Sequence, residues 1–140
     1  MDFSSINWLA VVLCLVASMA IGSVWFSPKV FFNTWWKAIG KTDKDMQDMS
    51  KGSSAGMMAT WGGVIAASLV QAIFMGFITD AMGAGNWLSG ALTGFWLWLG
   101  FIAPSSLTNK LFADRVRAWL YEAGNHLVTF LVMGAIHGAM

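Results

Sequence analysis

The chain has 140 residues, of which 57% are hydrophobic and 11% are charged, and its formal net charge is +1. This near-neutral balance gives no reason to expect a nucleic-acid partner, and the single cysteine, Cys14, excludes an intrachain disulfide scaffold. So high a hydrophobic fraction in so short a chain indicates one integral membrane domain over residues 1–140, with little left for a soluble module.

Four apolar stretches follow one another along the chain, at about residues 6–26, 57–79, 87–111 and 117–138. A helix that crosses a bilayer takes about 20 residues, so each stretch is long enough to do so. The first stretch is not read as a secretion signal, because no Lys or Arg precedes it and it is longer than the usual apolar region of such a signal. We therefore predict an all-α integral membrane protein, a bundle of four transmembrane helices.

Positive charge is confined to two short segments. All eight Lys and Arg residues lie between Lys29 and Lys51 or between Lys110 and Arg117. Basic loops are retained on the cytoplasmic side of a membrane. Both basic loops are therefore predicted to be cytoplasmic, and both chain termini to lie on the opposite, periplasmic or extracellular, side.

The predicted cytoplasmic loop over residues 27–56 contains a short amphipathic helix at about residues 28–39. The pair Ser27-Pro28 is typical of a helix start. Thr42 with Asp45 then resembles a capping box for a second, polar helix. Aromatic residues at three- and four-residue spacing should anchor the first of these helices flat in the membrane interface; they are Phe31, Phe32, Trp35 and Trp36.

Small residues at a four-residue spacing mark a predicted helix contact. The third apolar stretch contains Gly90 and Gly94, and the fourth contains Gly134 and Gly138. Helices in lipid associate through close packing, and paired glycines let two backbones approach. These glycines therefore predict a tight contact, either between the third and fourth helices of one chain or across a subunit interface.

Polar residues gather toward the predicted cytoplasmic ends of the third and fourth helices. Pro104 cannot donate to the Gly100 carbonyl and should interrupt the third helix. These polar groups are predicted to lie at the same depth in the membrane, and together they predict a water-accessible vestibule open to the cytoplasm. They are Ser105, Ser106, Thr108, Asn109, Glu122, Asn125, His126 and Thr129. The alternative is that the groups after Pro104 only repair the interrupted backbone ladder.

Glu122 and His126 are the ionisable residues of this vestibule and lie one helical turn apart. Glu122 could pair with Arg115, Arg117 or Lys110 at the interface, or exchange a proton with His126. Two ligands are too few for a metal site, and the chain shows no hydrolase, phosphate-loop, dinucleotide or HExxH motif. We therefore expect no metal, no cofactor and no catalytic residue.

Four short motifs together resemble a known family. They are Asn7-Trp-Leu-Ala10, Trp25-Phe-Ser-Pro28, Trp98-Leu-Gly-Phe-Ile-Ala-Pro104 and Glu122-Ala-Gly-Asn-His126. With them the chain resembles the bacterial family known as domain of unknown function 1761, over almost its whole length. The resemblance implies a small integral membrane protein with four helices and no established activity, and we expect the protein to lie in the bacterial inner membrane. Members of the family commonly carry a tyrosine where this chain has Asn125.

Two functions follow from these expectations. The first is a non-enzymatic membrane protein that forms a homo-oligomer through its small-residue faces and binds membrane lipids or a membrane partner. The alternative is a small channel or proton-coupled transporter in which Glu122 and His126 handle an ion or a polar solute.

Overall fold

The computed structural model describes residues 3–52 and 54–140, and this part of the chain is all-α, as predicted, with no strand. After a short 3₁₀ turn (Phe3–Ser5) come the helices α1 (Trp8–Trp25), α2 (Phe32–Ala38), α3 (Asp43–Lys51), α4 (Ser54–Ala81), α5 (Trp87–Leu97), α6 (Ala103–Phe112) and α7 (Val116–Ala139). A π-helical turn, Trp98–Ile102, joins α5 to α6.

Helix starts are set by local side-chain bonds. The Asn7 side chain accepts a hydrogen bond from the Ala10 N–H and caps α1. Thr42 and Asp45 form both halves of the predicted capping box at the start of α3, and Asn86 caps α5 in the same way. Such caps satisfy N–H groups that have no partner inside the helix.

The helix predicted at residues 28–39 begins later than the sequence suggests. The Ser27 carbonyl accepts hydrogen bonds from the N–H groups of Val30 and Phe32, so the chain makes turns here instead of entering a helix. Helix α2 therefore starts at Phe32. Shortly after its end, Gly40 adopts a φ of +81°, a conformation that glycine takes without strain.

Three helices, not the predicted four, are long and apolar enough to cross a membrane within the described residues. They are α1, α4 from Ala55, and the continuous run Trp87–Phe112. The fourth predicted span, at residues 117–138, does not meet this criterion of length and composition. Helix α7 has 24 residues, but polar side chains interrupt its apolar sequence; they are Glu122, Asn125, His126, Thr129 and His137.

The predicted interruption at Pro104 takes the form of the π-helical turn. The Ala103 N–H donates to the Trp98 carbonyl, five residues back. Pro104 then lies in the first turn of α6, where its missing N–H costs least. The helix thus continues past the proline, because one wide turn absorbs the missing hydrogen bond.

Helix α7 lies at the centre of the molecule and packs against α1, α2, α4, α5 and α6. Its closest approach is to α5, where the four predicted packing glycines meet within one chain. A Cβ atom added at Gly90 would lie only 2.9 Å from the Gly138 Cα, and one at Gly134 would lie 3.2 Å from the Gly94 nitrogen. The backbones themselves are in contact there, as glycine pairs allow.

The two ends of the bundle differ in charge. One end holds α2, α3 and the turn between α6 and α7, and with them the Lys and Arg residues; we call it the basic end. The other end holds residues 6–7, 84–85 and 138–140, which line a common cleft. Helix α4 packs through its second half only, since residues 55–67 are exposed. A space therefore opens between α1, α4 and α7 toward the basic end.

Candidate functional site

The space between α1, α2, α4 and α7 is a cavity of about 640 Å³. Its lining combines polar groups with large apolar side chains. The polar members are Ser18, Ser23, Ser27, Ser68, Gln71, Asn125, His126 and Thr129. The apolar members are Met19, Phe26, Pro28, Phe32, Trp35, Trp61 and Val64, beside Gly22. We call this space the central cavity.

The hydrogen-bonding capacity of the central cavity is partly used by the helices themselves. Ser18 donates to the Leu15 carbonyl at 2.9 Å, and Thr129 donates to the Asn125 carbonyl at 2.9 Å. The Asn125 Nδ2 atom is different, because it is buried and has no hydrogen-bond partner among the described residues. A buried donor without a partner costs about 1–3 kcal/mol, which an acceptor supplied by a ligand would offset.

Two aromatic residues of α2 form part of the wall of the central cavity. Phe32 and Trp35 contribute to its lining. Trp35 also packs against Phe26, with ring centroids 4.9 Å apart. Two of the four predicted interfacial anchors therefore face the cavity. Of the others, Phe31 packs against Trp25, and Trp36 is buried, with its Nε1 donating to the Thr42 carbonyl.

Glu122 lies beside the central cavity but does not line it. Its Oε1 atom accepts a hydrogen bond from the Lys110 Nζ at 2.8 Å and another from the Trp35 Nε1 at 3.0 Å. Of the three cations considered as partners, the structure thus pairs Glu122 with Lys110. The two side chains are 21% and 24% exposed. This carboxylate links α2 and α6 to α7 at the basic end.

The polar residues that follow Pro104 lie on α6 and are absent from the lining of the central cavity. Ser106 donates to the Ala103 carbonyl and accepts from the Trp119 Nε1. Thr108 donates to the Pro104 carbonyl at 3.0 Å. Ser105 and Asn109 are exposed. These bonds go to carbonyls within α6 and not to the Gly100 carbonyl that Pro104 leaves without its usual donor, so they do not provide the predicted repair.

The structure therefore divides the predicted vestibule into two groups. Asn125, His126 and Thr129 of α7 meet at the central cavity, whereas the residues of α6 lie elsewhere. Their neighbours in the cavity include Ser68 and Gln71 of α4, which the sequence analysis did not place in a site. The depth of Gln71 within an apolar stretch was the available signal.

The described residues contain no group of three or more His, Cys, Asp or Glu side chains placed to hold a metal ion. Cys14 is buried at the junction of α1 and α7, where its Sγ lies 3.6 Å from the Met133 carbonyl oxygen. The chemistry that the central cavity offers is therefore hydrogen bonding by amide, imidazole and hydroxyl groups beside an apolar wall.

Comparison with known proteins gives one match. The model of a family described as "Protein of unknown function (DUF1761)" matches residues 9–138, nearly the whole chain. No curated protein and no solved structure matches the chain. The family predicted from the four sequence motifs is thereby confirmed, and the chain belongs to the DUF1761 family of proteins of unknown function.

Proposed function

We propose that this protein is a non-enzymatic membrane protein that binds a lipid-like molecule in the central cavity. The observation that carries the proposal is the unpaired Asn125 Nδ2, buried at a cavity with apolar walls. Ligand sites are commonly clefts of about 300–1,000 Å³, mostly apolar with a few convergent polar groups. At about 640 Å³ the central cavity falls within this range.

The proposal places all four long helical segments in the membrane, with α7 as the fourth span. Helix α7 is surrounded by α1, α4, α5 and α6, so its polar side chains face protein instead of lipid. Polar residues within a membrane bundle usually face its interior. By the distribution of Lys and Arg, the basic end faces the cytoplasm of a bacterial inner membrane, and both termini lie outside.

The polarity of the cavity lining favours a ligand with an apolar body and an uncharged, oxygen-bearing head. Asn125 offers an N–H donor, which requires an acceptor such as an ester or ketone oxygen. The lining contains no Lys, Arg, Asp or Glu, so a charged head would lack a compensating charge. Phe32, Trp61 and Val64 supply surface for an acyl or isoprenoid chain.

The proposed assembly is a homo-oligomer formed through α4. Gly62 and Gly63 are exposed, and a Cβ added at either would meet nothing within 4 Å. Small residues on an uncovered helix favour close packing against another helix. Cross-linking in lipid nanodiscs tests this proposal. Gly63→Leu should reduce the cross-linked fraction, whereas Gly22→Leu on α1 should not; equal fractions for both variants would argue against it.

Photolabelling tests the cavity directly. A fatty-acid methyl ester that carries a diazirine has an apolar body and an ester carbonyl, and it should label peptides of α1 and α4 around Ser18 and Gln71. Asn125→Leu keeps a similar volume but removes the donor, and should reduce labelling several-fold. Asn109→Leu, at an exposed amide of α6, serves as the control. Equal labelling of wild type and Asn125→Leu would refute the proposed site.

Proton-coupled transport is the second candidate function. The observation in its favour is that His126 lines the central cavity one helical turn from Glu122, which is paired with Lys110. Glu122→Gln and His126→Ala should then abolish proton flux in liposomes while leaving the fold intact. Flux that is absent from the wild type, or unchanged in both variants, leaves lipid binding as the proposed function.

A further inference from the structure

A second cavity lies at the basic end, between α2 and the start of α7. It has a volume of about 520 Å³ and is separate from the central cavity. Its polar lining consists of Thr34, Lys37, Asp114, Arg115, Arg117 and Tyr121. Three cations thus face one carboxylate, so the cavity has an excess of positive charge.

The charged groups of these cations are not engaged in ion pairs among the described residues. Within the described part of the chain, no carboxylate lies within 4 Å of the charged group of Lys37, Arg115 or Arg117. The ion pair that the described residues do form, Lys110–Glu122, lies outside this cavity. Arg115 donates to the Asp114 carbonyl oxygen at 3.1 Å. Guanidinium and ammonium groups that form no ion pair within the protein are common binding partners of phosphate groups.

The start of α7 adds to the attraction for an anion. Helix α7 begins at Val116, and its N-cap, Arg115, makes no side-chain capping bond. The first N–H groups of a helix carry a partial positive charge and commonly bind phosphate or sulfate. The hydroxyls of Thr34 and Tyr121 supply further donors at the same cavity.

A cluster of aromatic rings lies beside this cavity. The Phe31 ring lies 5.5 Å from the Tyr121 ring and 4.9 Å from the Trp25 ring, measured between centroids. Tyrosine and tryptophan are concentrated where the hydrocarbon region meets the headgroups. Basic pockets on the cytoplasmic side of membrane proteins bind anionic headgroups.

We propose that the cavity between α2 and α7 binds the phosphate of an anionic phospholipid through Lys37, Arg115 and Arg117. The site shares membrane insertion with the proposed function but does not depend on any ligand in the central cavity. The bound lipid would bridge α2 and α7 and keep the aromatic residues of α2 packed against α7.

Native mass spectrometry of the full chain, released from detergent with phosphatidylglycerol or phosphatidylcholine added, tests this proposal. The wild type should retain phosphatidylglycerol several-fold more than phosphatidylcholine. The double variant Lys37→Gln with Arg117→Gln should weaken phosphatidylglycerol binding on the order of thirtyfold, since each of the two basic groups near an anionic surface contributes roughly fivefold. Arg115 is left unchanged because its guanidinium packs over Gly40.

The matched control is Lys44→Gln with Lys51→Gln, which removes the same charge from exposed residues of α3. Lipid retention by the control should match that of the wild type. Equal losses in the two double variants would show unspecific surface attraction and overturn the site, as would equal retention of the two lipids. If the first double variant does not fold by its tryptophan emission, the single variant Arg117→Gln replaces it and should show a smaller loss of the same kind.

Inorganic phosphate distinguishes the two sources of a phosphate group. Phosphatidylglycerol that stays bound in millimolar phosphate supports a lipid site. Complete displacement of the lipid by phosphate would assign the cavity to a free anion and overturn the lipid proposal. Photolabelling of the central cavity by the uncharged methyl ester should be unchanged in Lys37→Gln with Arg117→Gln, so failure of either proposal can be recognised separately.

Discussion

Gly94→Ala should destabilise the fold, because it places a methyl group where two backbones touch. The added Cβ would overlap the Phe130 carbonyl oxygen and lie 2.7 Å from the Phe130 carbonyl carbon. Carbon atoms in good contact are about 3.5–4.0 Å apart. The obstructing atoms belong to the α7 backbone, so no side chain can rotate to make room, and α5 must move away by on the order of 1 Å.

The loss in the free energy of unfolding follows from that displacement of α5. A gap of about 0.5–1 Å removes a quarter to a half of the dispersion energy of each atom pair along the contact. Overpacking of this kind typically costs about 1–3 kcal/mol. The matched control is Gly22→Ala on α1, where an added Cβ meets nothing within 4 Å. Replacing an unconstrained helical glycine by alanine gains about 0.5–1 kcal/mol. The two variants should therefore shift the free energy of unfolding in opposite directions.

The assay is reversible unfolding in mixed micelles of increasing dodecyl sulfate content, followed by tryptophan fluorescence. Trp98 donates to the Ala123 carbonyl of α7 at 3.0 Å, so its emission responds to separation of the third long helical segment from α7. Gly94→Ala should unfold at lower dodecyl sulfate than the wild type, and Gly22→Ala at the same or higher. Identical transitions for the two variants would refute the backbone contact between α5 and α7.

Three further predictions concern the ion pair, a helix cap and the cysteine. Glu122→Gln should lower the free energy of unfolding by about 1–3 kcal/mol, because Lys110 is left charged without its partner. The double variant Lys110→Gln with Glu122→Gln should lose less than the sum of the two single variants. Additive losses would contradict a direct pairing. Hydrogen bonds from the backbone N–H and then the hydroxyl of Thr42 lower the pKa of Asp45 below its ordinary 3.8, so this cap stabilises α3 fully above that pH and is lost as the pH falls through the lowered value. Carbon NMR of the Asp45 carboxyl should show Thr42→Ala returning its midpoint toward 3.8, and an unchanged midpoint would argue against the cap. Cys14 is fully buried, so a maleimide should modify it only after dodecyl sulfate unfolding; rapid labelling of the folded protein would contradict the packing of α1 against α7.

Features that depend on neighbours in the chain could be predicted from the sequence. The box of Thr42 and Asp45 needs partners only three residues apart, and the interruption at Pro104 follows from a missing N–H. The glycines at 90, 94, 134 and 138 indicated close packing because their spacing repeats on one helix face. In each case the residues responsible lie within one or two helical turns of each other, so the local sequence is enough to predict the feature.

The candidate site was only partly predictable, because depth along a helix does not say which way a side chain points. Asn109 and Asn125 were assigned to one vestibule by depth, yet the structure places Asn125 at the central cavity and Asn109 in an exposed position on α6. Gln71 of α4 joins Asn125 because α1, α4 and α7 enclose a common space. The partner of Glu122 was likewise one of three equivalent cations until the packing of α6 on α7 brought Lys110 to 2.8 Å.

The sequence by itself determined the helical class, the segregation of basic residues to one end and the family, since hydropathy, charge and motif order are properties of the chain alone. Tertiary structure decided that α7 lies at the centre of the molecule. There the surrounding helices cover the polar residues that make α7 less hydrophobic than the other long helices. It also decided that the second half of α4 packs while the first half stands apart, which creates the central cavity. The physical reason is that backbone contact at glycines fixes the distance and rotation between helices, and rotation selects which side chains meet.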